Sequence, residues 1–169
     1  EIAASRGVSI ALEPQVGAVH YNTLRALVPL VERSGVKIVL DSFHFFVGES
    51  DLSTLTRIDP RTIGLVHLSD AERYPLKHLK EVKHDLRTFP GHGFLPLRDF
   101  VETLKEIGYE NTYSVEIWNA RVNRTDPELV VRTARESVEN LFRSAGYDRF
   151  SIGRTDTTEE DSLEVNDGN

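Results

Sequence analysis

The chain has 169 residues, 39% hydrophobic and 28% charged, the balance of a globular domain able to bury roughly 70% of its unfolded surface. It contains no cysteine, which excludes disulfides and cysteine-based zinc sites, so any metal must be held by carboxylate and imidazole. The net charge is −7, and residues 146–169 hold seven acidic residues against two basic ones, so the body is near neutral and presents no nucleic-acid surface.

In chain order, Glu1-Ile2-Ala3-Ala4-Ser5-Arg6 lacks the charged start and apolar core of a signal peptide, and the expected compartment is the cytoplasm. Val8-Ser9-Ile10-Ala11-Leu12 reads as a buried strand ending at Glu13-Pro14. Residues 20–34 follow, with Leu24, Leu27, Val28 and Val31 at helical spacing and Gly35 as the stop. Val36-Lys37-Ile38-Val39-Leu40 is the second strand, ending at Asp41. A short helix around Leu52, Leu55 and Ile58 is broken by Asp59-Pro60. Ile63-Gly64-Leu65-Val66 is the third strand, ending at His67, and a long polar loop spans Ser69 to Gly93. The helix at 96–107 places Phe100, Val101, Leu104 and Ile107 on one face, with Gly108 as its cap. Thr112-Tyr113-Ser114-Val115 is the fourth strand, ending at Glu116. Asp126-Pro127 then opens a helix with Leu129, Val130, Ala134, Val138 and Leu141 on its apolar face. The acidic stretch 146–169 has almost no large apolar residue, cannot offset its ordering entropy by burial, and is expected to be a disordered tail after a domain at 1–145. No apolar run approaches the ~20 residues of a membrane span.

Four strands alternating with helices imply a parallel α/β sheet. The pattern fits half of a (β/α)8 barrel, which typically takes ~250 residues, and an open four-stranded sheet is the alternative. The chain has no methionine, position 1 included, which raises the expectation of a truncated chain.

Each strand stops at an ionisable residue: Glu13, Asp41, His67 and Glu116. Polar residues often cap strands where the chain leaves the core, yet four in a row is a pattern. In a parallel barrel all strand C-termini open onto the active face. Three carboxylates and an imidazole form a hard set suited to one divalent cation such as Mn²⁺, Mg²⁺, Co²⁺ or Zn²⁺.

The motifs Ala11-Leu12-Glu13-Pro14, Leu40-Asp41-Ser42-Phe43-His44-Phe45, Val66-His67-Leu68-Ser69-Asp70, Arg87-Thr88-Phe89-Pro90-Gly91-His92-Gly93 and Ser114-Val115-Glu116-Ile117-Trp118 resemble, in order, those of the xylose isomerase-like sugar isomerase/epimerase family. The resemblance covers about residues 5–143. From Asp41 to Val131 it is nearest to the inosose isomerases, with the 3-dehydroshikimate dehydratases second. It implies the C-terminal half of a (β/α)8 TIM barrel, with Glu13, Asp41, His67 and Glu116 binding one metal and His44 and Arg87 on the substrate. His92 receives no role, because the family varies there.

The implied activity is isomerisation or epimerisation of a sugar or cyclitol α-hydroxy ketone through an enediolate, with Glu13 and Glu116 as candidate bases. A lyase of the dehydroshikimate dehydratase type shares the opening proton transfer. An inactive half-barrel is the third reading. Abasic-site endonucleases share the barrel but have Asp-x-His where this chain has Asp85-Leu86-Arg87, and arginine cannot bind zinc. The expected partners are therefore a small-molecule sugar or cyclitol, with no nucleic acid and no membrane, and further copies of the chain through unpaired sheet edges.

Asp70 is expected behind His67 as a supporting residue, and His20 to be structural. The loop from Arg73 to Arg87, with Lys77, His78, Lys80, Lys83 and His84, is net positive. It reads as a solvated lid, with guidance of an anionic substrate as the sharper alternative.

Overall fold

A computed structural model describes residues 2–82 and 85–148. Its order is β1 (Ala11–Leu12), α1 (Leu24–Ser34), β2 (Lys37–Asp41), α2 (Ser42–Val47), α3 (Leu52–Leu55), β3 (Ile63–Leu68), β4 (Asp70–Ala71), α4 (Leu76–Val82), β5 (Arg87–Thr88), α5 (Leu97–Glu106), β6 (Tyr113–Val115) and α6 (Pro127–Ser144). The expected tail disorder concerns mainly residues 149–169, which lie outside the described residues, as do Lys83 and His84 of the basic loop.

Strands β1-β2-β3-β6 form one sheet in that order, and every pairing is parallel. Asp41 sits opposite His67 in the β2–β3 register, which brings two strand-end residues side by side. The side chains of Ile38, Leu40, Val66 and Leu68 alternate onto one face of the sheet and are fully buried under the helices. Leu24, Leu27 and Val31 of α1, and Phe100, Val101 and Leu104 of α5, complete that layer. Each such side chain contributes about 1.5–3 kcal/mol through burial.

Local chemistry sets the helix ends. The Thr23 hydroxyl accepts from the Ala26 amide, so α1 starts at Leu24 rather than at residue 20. Asp126 caps α6 through the Glu128 and Leu129 amides, with Pro127 in the first turn as expected. The predicted apolar face of α6 is buried only toward its C-terminus: Leu141 is enclosed, whereas Leu129 is 43% exposed.

Three local expectations are corrected. The first strand spans only Ala11–Leu12, with the Lys37 amide donating to the Ile10 carbonyl at 2.8 Å just ahead of it. The third strand runs through His67 to Leu68. The long loop after it carries α4 and a small antiparallel sheet, Asp70 opposite Thr88 and Ala71 opposite Arg87. That hairpin returns Arg87 to the end of the main sheet.

Candidate metal centre

The four strand-end residues converge. Glu13, Asp41, His67 and Glu116 each offer a ligand atom within 4.8 Å of the others. His67 Nδ1 lies 3.4 Å from Glu116 Oε2 and 3.6 Å from Glu13 Oε1. Glu13 Oε1 and His67 Nδ1 are buried without a hydrogen-bond partner, which is costly for polar atoms unless a cation joins them. The residues therefore fit a divalent ion in donor chemistry and in the convergence of their ligand atoms.

The electrostatics agree. The Glu13 carboxylate raises the His67 pKa, against burial, and Glu116 and Asp41 add to the rise. Burial pushes Glu13 up, but His67 and the Gln15 amide at 2.7 Å outweigh it, so Glu13 lies below its ordinary value. The cluster of acids thus draws positive charge onto its imidazole. Burial pushes Asp41 above the ordinary carboxylate value despite the pull of Arg87.

Asp41 serves two ends. One oxygen caps α2 by accepting from the His44 amide at 2.7 Å. The other accepts from Arg87 Nη1 at 2.8 Å. His44 therefore follows Asp41 into the first turn of α2, where its Nδ1 accepts from the Val16 amide at 3.3 Å and its Nε2 lies 3.1 Å from Arg87 Nη2.

Arg87 is 1% exposed. Its Nη1 also donates to Ser69 Oγ at 3.1 Å and to Glu116 Oε2 at 3.2 Å, and its guanidinium lies 4.6 Å from the centre of the Phe43 ring. His44 and Arg87 thus stand side by side behind the carboxylates, and Arg87 ties two of the four candidate ligands together.

Asp70 does not support His67. Its carboxylate accepts from the Ala71 and Leu95 amides at 2.8 and 2.9 Å and from Gly91 at 3.1 Å, so it fastens the Pro90–Leu95 loop. Gly93 is required there, because a Cβ would lie 2.2 Å from Asp70 Oδ1 and from the Ala71 carbonyl. Sequence reasoning also missed Asn119, whose amide donates to the Arg87 carbonyl at 2.8 Å. Nothing in the local sequence marks that contact, because 32 residues separate the two.

The basic loop is partly neutralised. Lys80 pairs with Glu49, and Arg73 lies over the Phe94 ring. His20 is exposed, on an exposed stretch ahead of α1.

Comparison with known proteins places this arrangement. The model of the xylose isomerase-like TIM barrel family matches residues 1–141. Inosose isomerase from Bacillus subtilis is 33% identical over 145 residues, 83% of this chain and 51% of the relative. 3-Dehydroshikimate dehydratase from Pseudomonas putida is 30% identical over 122 residues, 70% of this chain and 19% of the relative. The crystal structure of the IOLI protein with a bound zinc atom superposes with a TM-score of 0.80 at 30% identity, covering 89% of this chain and 53% of that one. The chain spans about half the length of the inosose isomerases it matches.

Proposed function

The chain belongs to the xylose isomerase-like TIM-barrel family, and from that premise we propose that it carries the metal half of a cyclitol or sugar ketose isomerase. The observation that carries the reading is the meeting of Glu13, Asp41, His67 and Glu116 at the ends of four parallel strands. These residues would hold one divalent ion, which when bound supplies Lewis acidity toward a carbonyl and its neighbouring hydroxyl.

The chain's own groups do the rest. His44 and Arg87, whose Nε2 and Nη2 lie 3.1 Å apart beside the ligand cluster, are in this reading the groups that orient substrate oxygens. Glu116 and Glu13 approach the site from opposite edges of the sheet, and their side chains keep 32% and 19% exposure. Glu116 is the more open of the two, whereas Glu13 Oε1 is buried and its Oε2 accepts from Gln15. One takes the proton next to the carbonyl, leaving an enediolate, and its return to the adjacent carbon completes the isomerisation. Asp41, enclosed with Arg87, is excluded from this role by burial and serves as an anchor.

A dehydratase outcome starts from the same proton transfer and then expels a β-hydroxyl. The 30% identity to a 3-dehydroshikimate dehydratase keeps it as the second reading. Turnover with inosose and with dehydroshikimate, in protein of full barrel length, separates the two. Isomerisation of inosose that stops on chelation and returns with Mn²⁺ or Zn²⁺ supports the proposal. Full turnover in metal-free protein refutes it. Glu116→Gln should lower kcat by orders of magnitude, whereas His44→Ala should chiefly raise KM.

A further inference from the structure

The short ribbon of β4 and β5 turns two carbonyls away from its own ladder. Asp70 sits opposite Thr88 and Ala71 opposite Arg87, and just beyond them the Glu72 amide donates to the Leu86 carbonyl at 2.9 Å. Antiparallel pairs alternate between bonded and non-bonded, so Ala71 and Arg87 form a non-bonded pair whose carbonyls face outward. The Ala71 carbonyl accepts from the Phe94 amide at 3.2 Å. The Arg87 carbonyl accepts from the Asn119 side-chain amide at 2.8 Å. Arg87 is buried, so one asparagine satisfies a carbonyl that would otherwise cost free energy.

Asn119 is itself 4% exposed, and its amide has one orientation. Nδ2 faces the Arg87 carbonyl, and Oδ1 accepts from the Arg121 amide at 2.8 Å, so exchanging the two atoms would break both bonds. Its main-chain carbonyl accepts from the Asn123 amide at 2.9 Å, which starts the turn leading to α6. The contact with Arg87 closes a ring. Arg87 Nη1 reaches back to the Glu116 carbonyl at 3.3 Å and to Glu116 Oε2 at 3.2 Å. Glu116 and Asn119 stand three residues apart on the segment after β6. The arginine side chain grips that segment at one point, and the asparagine grips the arginine main chain from another. Glu116 follows a strand of three residues, and its side chain is the most exposed of the four candidate ligands.

We infer, on the reading of that centre as a divalent-metal site, that Asn119 is a positioning residue for it. By fixing the Arg87 main chain, Asn119 sets the place of the Glu116 carboxylate against Asp41 and His67. The ring is closed by contacts within this chain alone. A second tie joins the same two segments, from the Arg121 guanidinium to the Glu72 carboxylate. The Arg121 side chain is 71% exposed, and an ion pair in that setting contributes little. The buried amide is therefore the tie that holds.

Asn119→Asp tests the ring with almost no change of shape. It keeps the oxygen that holds the Arg121 amide and sets an oxygen, in place of a donor, against the Arg87 carbonyl. Asn119→Ser can keep the turn through its hydroxyl but is too short for that carbonyl, and it adds no charge. In protein of full barrel length, calorimetry with Zn²⁺ should show binding about tenfold weaker in both variants, the size usual for groups that orient a metal's ligands. With inosose, kcat should fall while KM holds. Arg121→Ala should match the parent in each measurement. Hydrogen exchange in metal-free protein reads the ring without the metal. The Glu116 amide, which donates to the Leu68 carbonyl at 3.1 Å, should exchange faster in both Asn119 variants and not in Arg121→Ala. A parent that binds no Zn²⁺ refutes the metal reading, and the exchange rates then decide the ring by themselves. Parent-like Zn²⁺ affinity and exchange in the Asn119 variants overturn the inference, as does an equal loss in Arg121→Ala. If Asn119→Asp does not fold, Asn119→Ser decides.

Discussion

The centre and the edges of the sheet obey one sequence rule and reach different states. All four strands are short apolar runs with a ligand-type residue at or beside their C-terminal end. On β2 and β3 the outward side chains are 0–1% exposed, and on β1 they stay near half exposed. The candidate ligands inherit this difference. Asp41 and His67 face each other in register on the central strands, and Asp41 is 1% exposed. Glu116 hangs from the β6 edge with its side chain 32% exposed, whereas Glu13 on the β1 edge is 19% exposed, the same as His67. Burial makes Asp41 the anchor of the set, and Glu116 keeps the freest carboxylate.

The largest expected effect tests this contrast directly. Arg87→Met removes the cation that pairs with the enclosed Asp41 carboxylate at 2.8 Å. Stranding a buried charge typically costs about 3–5 kcal/mol. Glu13→Ala removes a partly exposed carboxylate from an acid-rich cluster, and its effect on folding should stay within about 1 kcal/mol. Urea unfolding of the metal-free protein measures both. Equal costs would break the distinction between centre and edge. Both variants should nonetheless weaken metal binding, which calorimetry with Zn²⁺ would detect.

A middle-sized effect concerns the loop that returns Arg87 to the centre. Gly93→Ala places a methyl group against Asp70 and the Ala71 carbonyl, and neither is the far end of a flexible chain. Overpacking of this kind costs about 1–3 kcal/mol. Gly108→Ala meets no steric contact but sits at φ 79°, so it should cost about 1 kcal/mol. Thermal melts rank the two, and the reverse order would show that the Asp70 hub is looser than its three hydrogen bonds suggest.

Much of the framework was legible in the sequence, because strand-helix alternation and strand-end residues are local signals. What escaped was either non-periodic or long-range. Helix α2 buries Phe43, His44, Phe45 and Val47 alike, so it lacks the amphipathic pattern that reveals a helix. Its start was hidden because Asp41 reads as a strand end while also serving as an N-cap. Strands β4 and β5 are two residues each and pair across a 15-residue excursion. The motif marked Arg87 but not the cage around it, since Asp41, Phe43, Ser69 and Asn119 come from three separate segments. Asp70 was placed behind the wrong partner, since its spacing from His67 is local while its amide donors lie up to 25 residues away.

The smallest expected effect concerns what holds the β6 edge from behind. Tyr109, Tyr113, Phe142 and Tyr147 form a chain of ring contacts with centroids 4.8–5.2 Å apart. Tyr109 is 3% exposed and donates its hydroxyl to the Thr112 carbonyl at 2.8 Å, one residue ahead of β6. Burial pushes its pKa up to about 12, and burial also raises that of Tyr113. In the unfolded chain a tyrosine titrates near 10. The folded protein therefore keeps a proton that the unfolded chain has lost. The stability tied to the neutral phenol is complete below pH 10 and drains as pH rises toward 12. The slope for one such group is about 1.4 kcal/mol per pH unit within the window. Tyr109→Phe removes the titrating hydroxyl and should flatten that slope, at the cost of one hydrogen bond near neutral pH. Hydrogen exchange at pH 10 and above should show β6 and the C-terminal turns of α6 opening before β2 and β3. If the central strands opened first, the edge would owe its order to something other than this aromatic backing.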